Sequence, residues 1–296
     1  MCTTCGCSRK DTVTLTNPET GKRQEIGAAD TVTAYKRVLD HAHGHDHGHP
    51  HSHDHPHSHD PHAHSHDPHP NGRTIALEQR ILAKNQLAAE RNREWFAARA
   101  ILALNLVSSP GSGKTTLLER TIRDLGDRVA ISVVEGDQET LNDAERIRAT
   151  GCRAVQINTG TGCHLEADML SRGLRELDPP PRSVVMIENV GNLVCPALFD
   201  LGEQAKVVIL SVTEGEDKPV KYPHMFRASS VMILNKVDLL PHLNFDVARC
   251  LEFARAVNPA IEILQVSAIT GAGLDGWYAW LQRSVRGQAL APAVAS

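Results

Sequence analysis

The chain has 296 residues, which at roughly 150 residues per domain allows one large domain or two smaller ones. Hydrophobic residues make up 41% and charged residues 22%, and no segment approaches the ~18 consecutive apolar residues of a membrane helix, so the composition excludes an integral membrane protein. The net charge is −4 without a clustered basic surplus, which gives no indication of a nucleic-acid partner.

The first segment, residues 1–40, is polar and begins with three cysteines, Cys2, Cys5 and Cys7. It has no apolar stretch of the kind that a secretory signal requires, so we expect a cytoplasmic protein. In a reducing cytosol, thiols this close together are poorly suited to a structural disulfide and well suited to a soft or borderline metal ion. The alternative is a tail with incidental cysteines.

The second segment, residues 41–72, consists mainly of His, Asp, Pro, Gly and Ser, and 14 of the 17 histidines in the chain fall between His41 and His69. Because it has few apolar side chains and several prolines, we expect it to be disordered without a ligand. Neutral imidazoles are metal ligands, so the pattern predicts binding of several divalent ions. The alternative is a solvated linker.

The third segment, residues 73–296, has the pattern of a globular domain. Apolar residues recur at helical spacing from Thr74 to about Ala100, which predicts an amphipathic leading helix. Short Val- and Ile-rich runs separated by helix-length segments then predict buried parallel strands. The runs are Leu102–Val107, Val129–Val134, Ala154–Ile157, Val184–Ile187, Val207–Val212, Val231–Leu234 and Ile261–Val266. The predicted fold is a three-layer α/β sandwich with a mostly parallel sheet.

A phosphate-binding loop follows the first predicted strand, which indicates the P-loop NTPase class. The string departs from the full P-loop pattern at one position, where Ser108 replaces glycine. We expect backbone amides at the start of the next helix to bind phosphate, Lys114 to supply charge and the Thr115 hydroxyl to bind magnesium. The predicted nucleotide-binding residues of this loop are Gly111, Ser112, Gly113, Lys114, Thr115 and Thr116. A chance glycine-rich turn is the alternative.

Two carboxylates that follow predicted strands are candidate magnesium ligands, directly or through water. They are Asp137, in Glu-Gly-Asp, and Glu188, in Glu-Asn-Val-Gly. The second string has the spacing of a nucleotide-sensing Asp-x-x-Gly turn and predicts that the Gly191 amide lies near a γ-phosphate. Carboxylates that merely cap the next helices are the alternative. No glutamine follows Gly191, and Asn192 is a candidate for positioning water.

Sequence motifs after the last two predicted strands, Asn-Lys-x-Asp at 235–238 and Ser-Ala at 267–268, indicate guanine recognition. The Asp238 carboxylate can accept two hydrogen bonds from the N1–H and amine of guanine, a donor pair that adenine lacks. We expect Asn235 to connect the base-binding loops, the Lys236 stem to cover the base, and the Ala268 amide, after Ser267, to meet the guanine oxygen. These residues predict GTP and GDP as ligands, with Mg²⁺, and hydrolysis of GTP to GDP and phosphate.

Cysteine and histidine also occur inside the globular segment. Cys163 and His164 follow the third predicted strand, and Cys195 lies seven residues after Glu188. Adjacent residues can share one metal ion only if the loop bends, and a lone Cys-His pair is usually packing or a helix start. Spacing alone therefore does not favour a metal site here.

Together these strings resemble the hydrogenase nickel-incorporation GTPase family, HypB. The resemblance covers about residues 100–275, together with the amino-terminal Cys-x-x-Cys-Gly-Cys and the His-rich insert of some members. It implies a GTPase that helps load nickel into the large subunit of [NiFe]-hydrogenase, working with a HypA-type nickel accessory protein. It also implies a Ni²⁺/Zn²⁺ site of Cys163, His164 and Cys195, at or near the interface of a nucleotide-dependent homodimer.

Two other functions stay open at this point. In one, the chain is a nickel storage protein whose histidine tract is its main function; in the other, it is a GTPase metallochaperone for urease. The amino-terminal cysteine motif and the pairing of Cys163 and His164 with Cys195 favour the hydrogenase branch, whereas a His-rich tract is compatible with all three functions.

Overall fold

A computed structural model of the chain describes residues 12–17, 20–28, 70–137, 142–160 and 162–290. Cys2, Cys5, Cys7 and the histidine tract lie outside the described residues, so the metal sites predicted there stay predictions. The strands are β1 Thr12–Asn17, β2 Lys22–Ala28, β3 Leu102–Ser108, β4 Ile131–Asp137, β5 Arg153–Asn158, β6 Val184–Glu188, β7 Ala205–Ser211, β8 Val231–Asn235 and β9 Glu262–Gln265.

Helices connect and cover these strands. They are α1 Pro70–Ala98, α2 Lys114–Leu125, α3 Asn142–Arg148, α4 Ala167–Leu177, α5 Cys195–Leu198, α6 Lys218–Lys221, α7 Pro223–Ala228, α8 Val247–Val257 and α9 Leu274–Leu290, with a 3₁₀ helix at Val237–His242. None of these helices is both long enough and apolar enough to span a bilayer.

The described strands form one sheet in the order β2-β1-β5-β4-β6-β3-β7-β8-β9. The seven strands from β3 to β9 are parallel and match the seven predicted runs, so the predicted fold class is confirmed. All residues of β3 are buried because both faces of the sheet are covered. One boundary differs from expectation: β4 continues through Asp137, so Glu135 lies within the strand and not after it.

An antiparallel hairpin at the sheet edge was not predicted. Strand β1 pairs with β2 on one side and with β5 on the other. Its Val13 and Leu15 side chains are buried and join the core. The signal was present in the sequence, since apolar residues alternate with threonine over Thr12–Asn17, which is the period of a strand. The hairpin makes part of the first segment continuous with the sheet of the globular segment.

The core lies on both faces of the sheet. Leu104 and Leu106 of β3 pack with α2 and α9 on one face. On the other face, Ala103 belongs to a cluster with α1 and α4, and Val107 belongs to a cluster with α7 and α8. Parallel strands place all their carboxyl ends at one edge, and the strand order changes direction beside β3. Open α/β sheets bind ligands at this position.

Candidate nucleotide and metal sites

The turn between β3 and α2 has the backbone that a phosphate-binding loop requires. Gly111 and Gly113 have φ values of +75° and +92°, in the left-handed region that favours glycine. A Cβ on Gly113 would lie 2.7 Å from the Asn235 amide nitrogen, so this position also leaves no space for a side chain. Helix α2 begins at Lys114, and glycine before it offers no side-chain cap. The first amides of the helix are therefore available to an anion.

A cleft of about 550 Å³ opens above this loop. It is lined by Pro110–Thr116, Glu135–Asp137, Asp143, Arg146, Glu188–Gly191 and Lys236. Within it, Lys114 Nζ donates a hydrogen bond to Ser108 Oγ at 3.0 Å. Ser108, the residue that departs from the P-loop pattern, is thus a direct contact of the lysine that the pattern identifies.

Two buried carboxylates face each other from neighbouring strands below the loop. Glu135 of β4 and Glu188 of β6 are register partners, and Thr115 Oγ1 donates to Glu188 Oε1 at 2.7 Å. Burial raises the pKa of Glu188. Burial, together with the charge of Glu188, raises the pKa of Glu135 to about 9. Among the described residues, neither Glu135 Oε2 nor Glu188 Oε2 has a hydrogen-bond partner.

These oxygens fit a hard divalent cation. Unpartnered buried carboxylates are unfavourable without a counter-charge, and Mg²⁺ prefers carboxylate and hydroxyl oxygens. Asp137, at the end of β4, lines the same cleft. Sequence reasoning assigned Asp137 and Glu188 but missed Glu135, because the second strand was expected to end before it.

Asn235 contacts both loops that flank it. Its Nδ2 donates to Ser112 O of the phosphate loop at 2.9 Å, and its Oδ1 accepts from the Ala268 amide at 3.2 Å. The Ala268 amide is thus directed at Asn235, and its expected contact with guanine stays a prediction. Lys236 Nζ donates to Gly111 O at 2.7 Å. Ser267 is fully buried beside Ala268.

Cys163, His164 and Cys195 converge in the structure, although their spacing did not favour this. Cys163 Sγ lies 2.9 Å from Cys195 Sγ and 3.6 Å from His164 Nδ1. One ligand atom from each residue lies within 4.8 Å of the other two. Bonds of about 2.0–2.3 Å from zinc to nitrogen or sulfur are short enough for one ion to contact all three. We call these three residues the metal cluster.

The required bend follows from the turn before the metal cluster. The Thr159 hydroxyl donates to Gly162 O at 2.8 Å, and Gly162 N donates to Thr159 O at 2.9 Å. Gly160, within this turn, has a φ of +60°. The His164 ring is then buried, with its centre 3.9 Å from that of Phe199.

A hydrogen bond gives the two thiols of the metal cluster different pKa values. The Cys163 thiol donates to Cys195, which lowers the pKa of Cys195 to about 7. The same bond, together with burial, raises the pKa of Cys163 to about 12. Because thiolates are the metal-binding form of cysteine, Cys195 is available as a ligand near neutral pH.

A single loop connects the two sites. It runs from Glu188 through Gly191, where an added Cβ would lie 3.2 Å from Pro110 of the phosphate loop, to Cys195. Asn192, the candidate for positioning water, lies on this loop. Its Nδ2 donates to Cys163 O at 3.4 Å, and its Oδ1 accepts from the Val194 amide at 2.8 Å. Asn192 therefore connects the backbone at Cys163 to the backbone directly before Cys195.

Comparison with known proteins shows the family of the chain. Residues 102–265 match the family described as CobW/HypB/UreG, nucleotide-binding domain. Hydrogenase maturation factor HypB of Rhizobium leguminosarum bv. viciae is 59% identical over 223 residues, 75% of this chain and 75% of that protein. Hydrogenase maturation factor HypB of Cupriavidus necator is 45% identical over 329 residues, covering 95% and 88% of the two chains.

A solved structure gives the same result for the fold. HypB from Helicobacter pylori, in complex with nickel, has a TM-score of 0.65 and 37% identity, covering 72% of this chain and 99% of that one. The family match over residues 102–265 spans the phosphate-binding loop and strands β3 to β9, and these comparisons confirm the family that the sequence motifs resemble. The chain is thus a member of the HypB family, within the CobW/HypB/UreG group of nucleotide-binding domains.

Proposed function

We propose that the chain is a GTP-hydrolysing nickel metallochaperone that supports nickel insertion into [NiFe]-hydrogenase. The observation that carries the proposal is the short loop from Glu188 to Cys195, which joins a nucleotide cleft to a Cys-His-Cys cluster. Relatives named hydrogenase maturation factors, and a relative in complex with nickel, support the same assignment.

In the nucleotide reaction, water attacks the γ-phosphorus of GTP, the bond to the β-phosphate oxygen breaks, and phosphate and GDP leave. Lys114 and the amides of Gly111–Thr116 would stabilise the negative charge on the transferring group. Mg²⁺, when bound, would supply further positive charge to the phosphate oxygens. Thr115, Asp137, Glu188 and Glu135 are the residues that would hold it. Asp238, through two hydrogen bonds, would select guanine.

Nickel is the cargo in this proposal, and the metal cluster is the site that would carry it. Two cysteine sulfurs, which bind metal as thiolates, and an imidazole are donors suited to Ni²⁺ and also to Zn²⁺. Cys2, Cys5 and Cys7 and the histidine tract would bind further nickel. We propose that the protein acts in the cytoplasm.

Proposed partners follow from the surface around the metal cluster. Val194 and Leu198, on either side of Cys195 in the chain, are 52% and 47% exposed, and exposed apolar side chains beside a functional residue favour a contact surface. We assign this surface to a nucleotide-dependent homodimer. A HypA-type accessory protein and, directly or indirectly, the hydrogenase large subunit would receive the metal.

The test compares nickel affinity in two nucleotide states. The full chain carries Cys2→Ala, Cys5→Ala and Cys7→Ala, and nickel binding is measured with GDP and with a non-hydrolysable GTP analogue. The contribution of the metal cluster is the binding lost on adding Cys195→Ala. We expect the two affinities to differ by roughly 5–150-fold, the usual size of coupling between sites. Equal affinities at a cluster that binds nickel would refute nucleotide-controlled delivery.

A further inference from the structure

A row of four polar side chains crosses the interior of the sheet between two apolar clusters. Asn189 Nδ2 donates to Asn105 Oδ1 at 3.2 Å, and Asn105 Nδ2 donates to Glu203 Oε1 at 3.0 Å. Lys206 Nζ lies 3.6 Å from the same Glu203 oxygen. Asn105 is the register partner of Lys206 on β7. We call Asn189, Asn105, Glu203 and Lys206 the polar row.

The polar row is buried. Asn105 and Asn189 are 0% and 1% exposed, and the Lys206 and Glu203 side chains are 7% and 6% exposed. Apolar residues of similar volume often stabilise a fold as well as a buried ion pair does, or better. Stability alone therefore gives no reason for a lysine and a glutamate at these positions.

The two ends of the polar row contact the two chain segments that carry the metal cluster, one with Cys163 and His164 and the other with Cys195. At one end, Asn189 Oδ1 accepts from the Leu165 amide at 3.2 Å, and Leu165 follows His164 in the chain. At the other end, Lys206 Nζ donates to Pro196 O at 2.8 Å, and Pro196 follows Cys195. The row thus connects the backbone beside one ligand to the backbone beside another.

The polar row also includes a residue of the Glu188–Gly191 segment, which lines the nucleotide cleft. Asn189 follows Glu188, which accepts from the Thr115 hydroxyl, and its Oδ1 also accepts from the Val190 amide at 3.0 Å. Leu201 N donates to Glu203 Oε2 at 2.7 Å, which fixes the carboxylate in the middle of the row. A displacement of the Glu188–Gly191 backbone would therefore move Asn189, and with it the hydrogen bonds to the Leu165 amide and to Asn105.

We propose that the polar row is the element that couples nucleotide state to metal affinity, with Asn105, Glu203 and Lys206 as positioning residues. Lys206 fixes the carbonyl beside Cys195, Asn189 fixes the amide beside His164, and Asn105 and Glu203 hold these contacts in register. The inference rests on the proposed function, since it explains how the two sites of that function communicate.

The experiment uses Lys206→Met in the full chain with Cys2, Cys5 and Cys7 replaced by alanine. Methionine keeps the length of the side chain and removes the donor to Pro196, while Glu203 keeps its two N–H donors. Nickel affinity and the sulfur-to-nickel charge-transfer band are measured with GDP and with a non-hydrolysable GTP analogue. We expect the affinity ratio between the two states to fall to within about twofold, with GDP affinity unchanged.

Asn258→Ala is the matched control. Asn258 Nδ2 also anchors loop carbonyls, donating to Phe226 O at 3.0 Å and to Ser229 O at 2.9 Å, but it contacts neither site. This variant should keep the parent chain's ratio of nickel affinities between the two nucleotide states. If Lys206→Met prevents GDP binding, Lys206→Met combined with Glu203→Leu removes both buried charges and takes its place.

Three outcomes are distinguishable. An unchanged ratio in the Lys206 variant would overturn this inference and leave the proposed function intact. Nickel affinity lowered by the same factor in both nucleotide states would also overturn it, because that is the result of a purely structural role. Equal affinities in the parent chain would remove the coupling itself, and with it both proposals.

Discussion

At the scale of single residues, Asp238 is the residue that we propose selects guanine over adenine. Its Oδ1 is buried and has no hydrogen-bond partner among the described residues, so a ligand with paired donors would satisfy it. Asn235, by contrast, already contacts Ser112 and Ala268, which makes it a structural connector of the loops. Within one motif, Asn235 thus connects the loops, and Asp238 is left to bind the base in our proposal.

Asp238→Asn should lower GTP affinity about tenfold or more. Asparagine offers one acceptor and one donor, so a guanine N–H group loses its partner at roughly 1–3 kcal/mol. Xanthosine triphosphate has an acceptor where guanine has its amine and should gain relative to GTP. Competition binding with both nucleotides measures this. Unchanged GTP binding would remove Asp238 from the base site.

Glu135 should make the stability of the metal-free protein depend on pH. Its folded-state pKa of about 9 exceeds the ordinary value, so the folded state holds the proton more tightly than the unfolded state. Stability is then lost as pH rises from about 4.5 to 9, by up to about 1.4 kcal/mol per pH unit. Glu135→Gln should flatten this dependence in urea unfolding curves measured in EDTA. A slope equal to that of the parent chain would contradict the assignment.

At the scale of elements, short turns decide the geometry of both sites. The hydrogen bonds between Thr159 and Gly162 fix the turn from which Cys163 and His164 approach Cys195. The glycine turn before α2 directs the first amides of the helix at the cleft. Both turns follow parallel strands, so the sheet fixes where each turn begins.

Thr159→Val should weaken nickel binding at the metal cluster about fivefold while GTP turnover stays within twofold. Valine has nearly the same shape but removes the hydroxyl that donates to Gly162 O, and one hydrogen bond contributes about 1 kcal/mol. Thr150→Val is the control, since its hydroxyl donates to Ile147 O at 2.5 Å away from both sites. Equal effects of the two variants on nickel affinity would show that the turn does not position the ligands.

Elements that depend on local pattern could be predicted from the sequence, and contacts between distant loops could not. The strands from Leu102 onward were predictable because buried parallel strands are continuous runs of Val, Ile and Leu. The hairpin at Thr12–Ala28 was missed because its alternation is short and mostly of threonine. Cys163 and Cys195 come together only because β5 and β6 end at the same edge of the sheet, which spacing along the chain does not reveal.

The buried polar residues show the same limit. Asn105 lies within an apolar strand run and Lys206 lies directly before one; no motif identifies either residue, and their roles depend on register between strands. Glu135 stood in a recognised string, but its position inside β4 could not be separated from a position in the following turn. Strand ends are the least predictable part of a strand, and here they decide which carboxylate is buried.

At the scale of the whole molecule, deletion of residues 41–69 should lower the number of nickel ions bound and leave GTP turnover nearly intact. Binding by this tract should weaken below about pH 6.5, where protonation of imidazole competes with metal. Equilibrium dialysis and phosphate release measure the two effects. A large loss of turnover would mean that the tract is more than a reservoir. Normal hydrogenase maturation in cells with Lys114→Ala would favour the storage function.

The hairpin of β1 and β2 determines the positions from which the segments before Thr12 and after Ala28 leave the sheet. Thr12 and Ala28 are register partners, and Thr14 pairs with Asn158 at the end of β5. The chain therefore leaves the sheet in both directions at the corner from which β5 continues to Cys163. Cys7 is five residues from Thr12, a reach of at most about 17 Å. The proposed metal-binding thiols are therefore tethered to the part of the sheet from which the chain continues to Cys163, and a tether that spans the distance to the metal cluster would make metal exchange between them intramolecular.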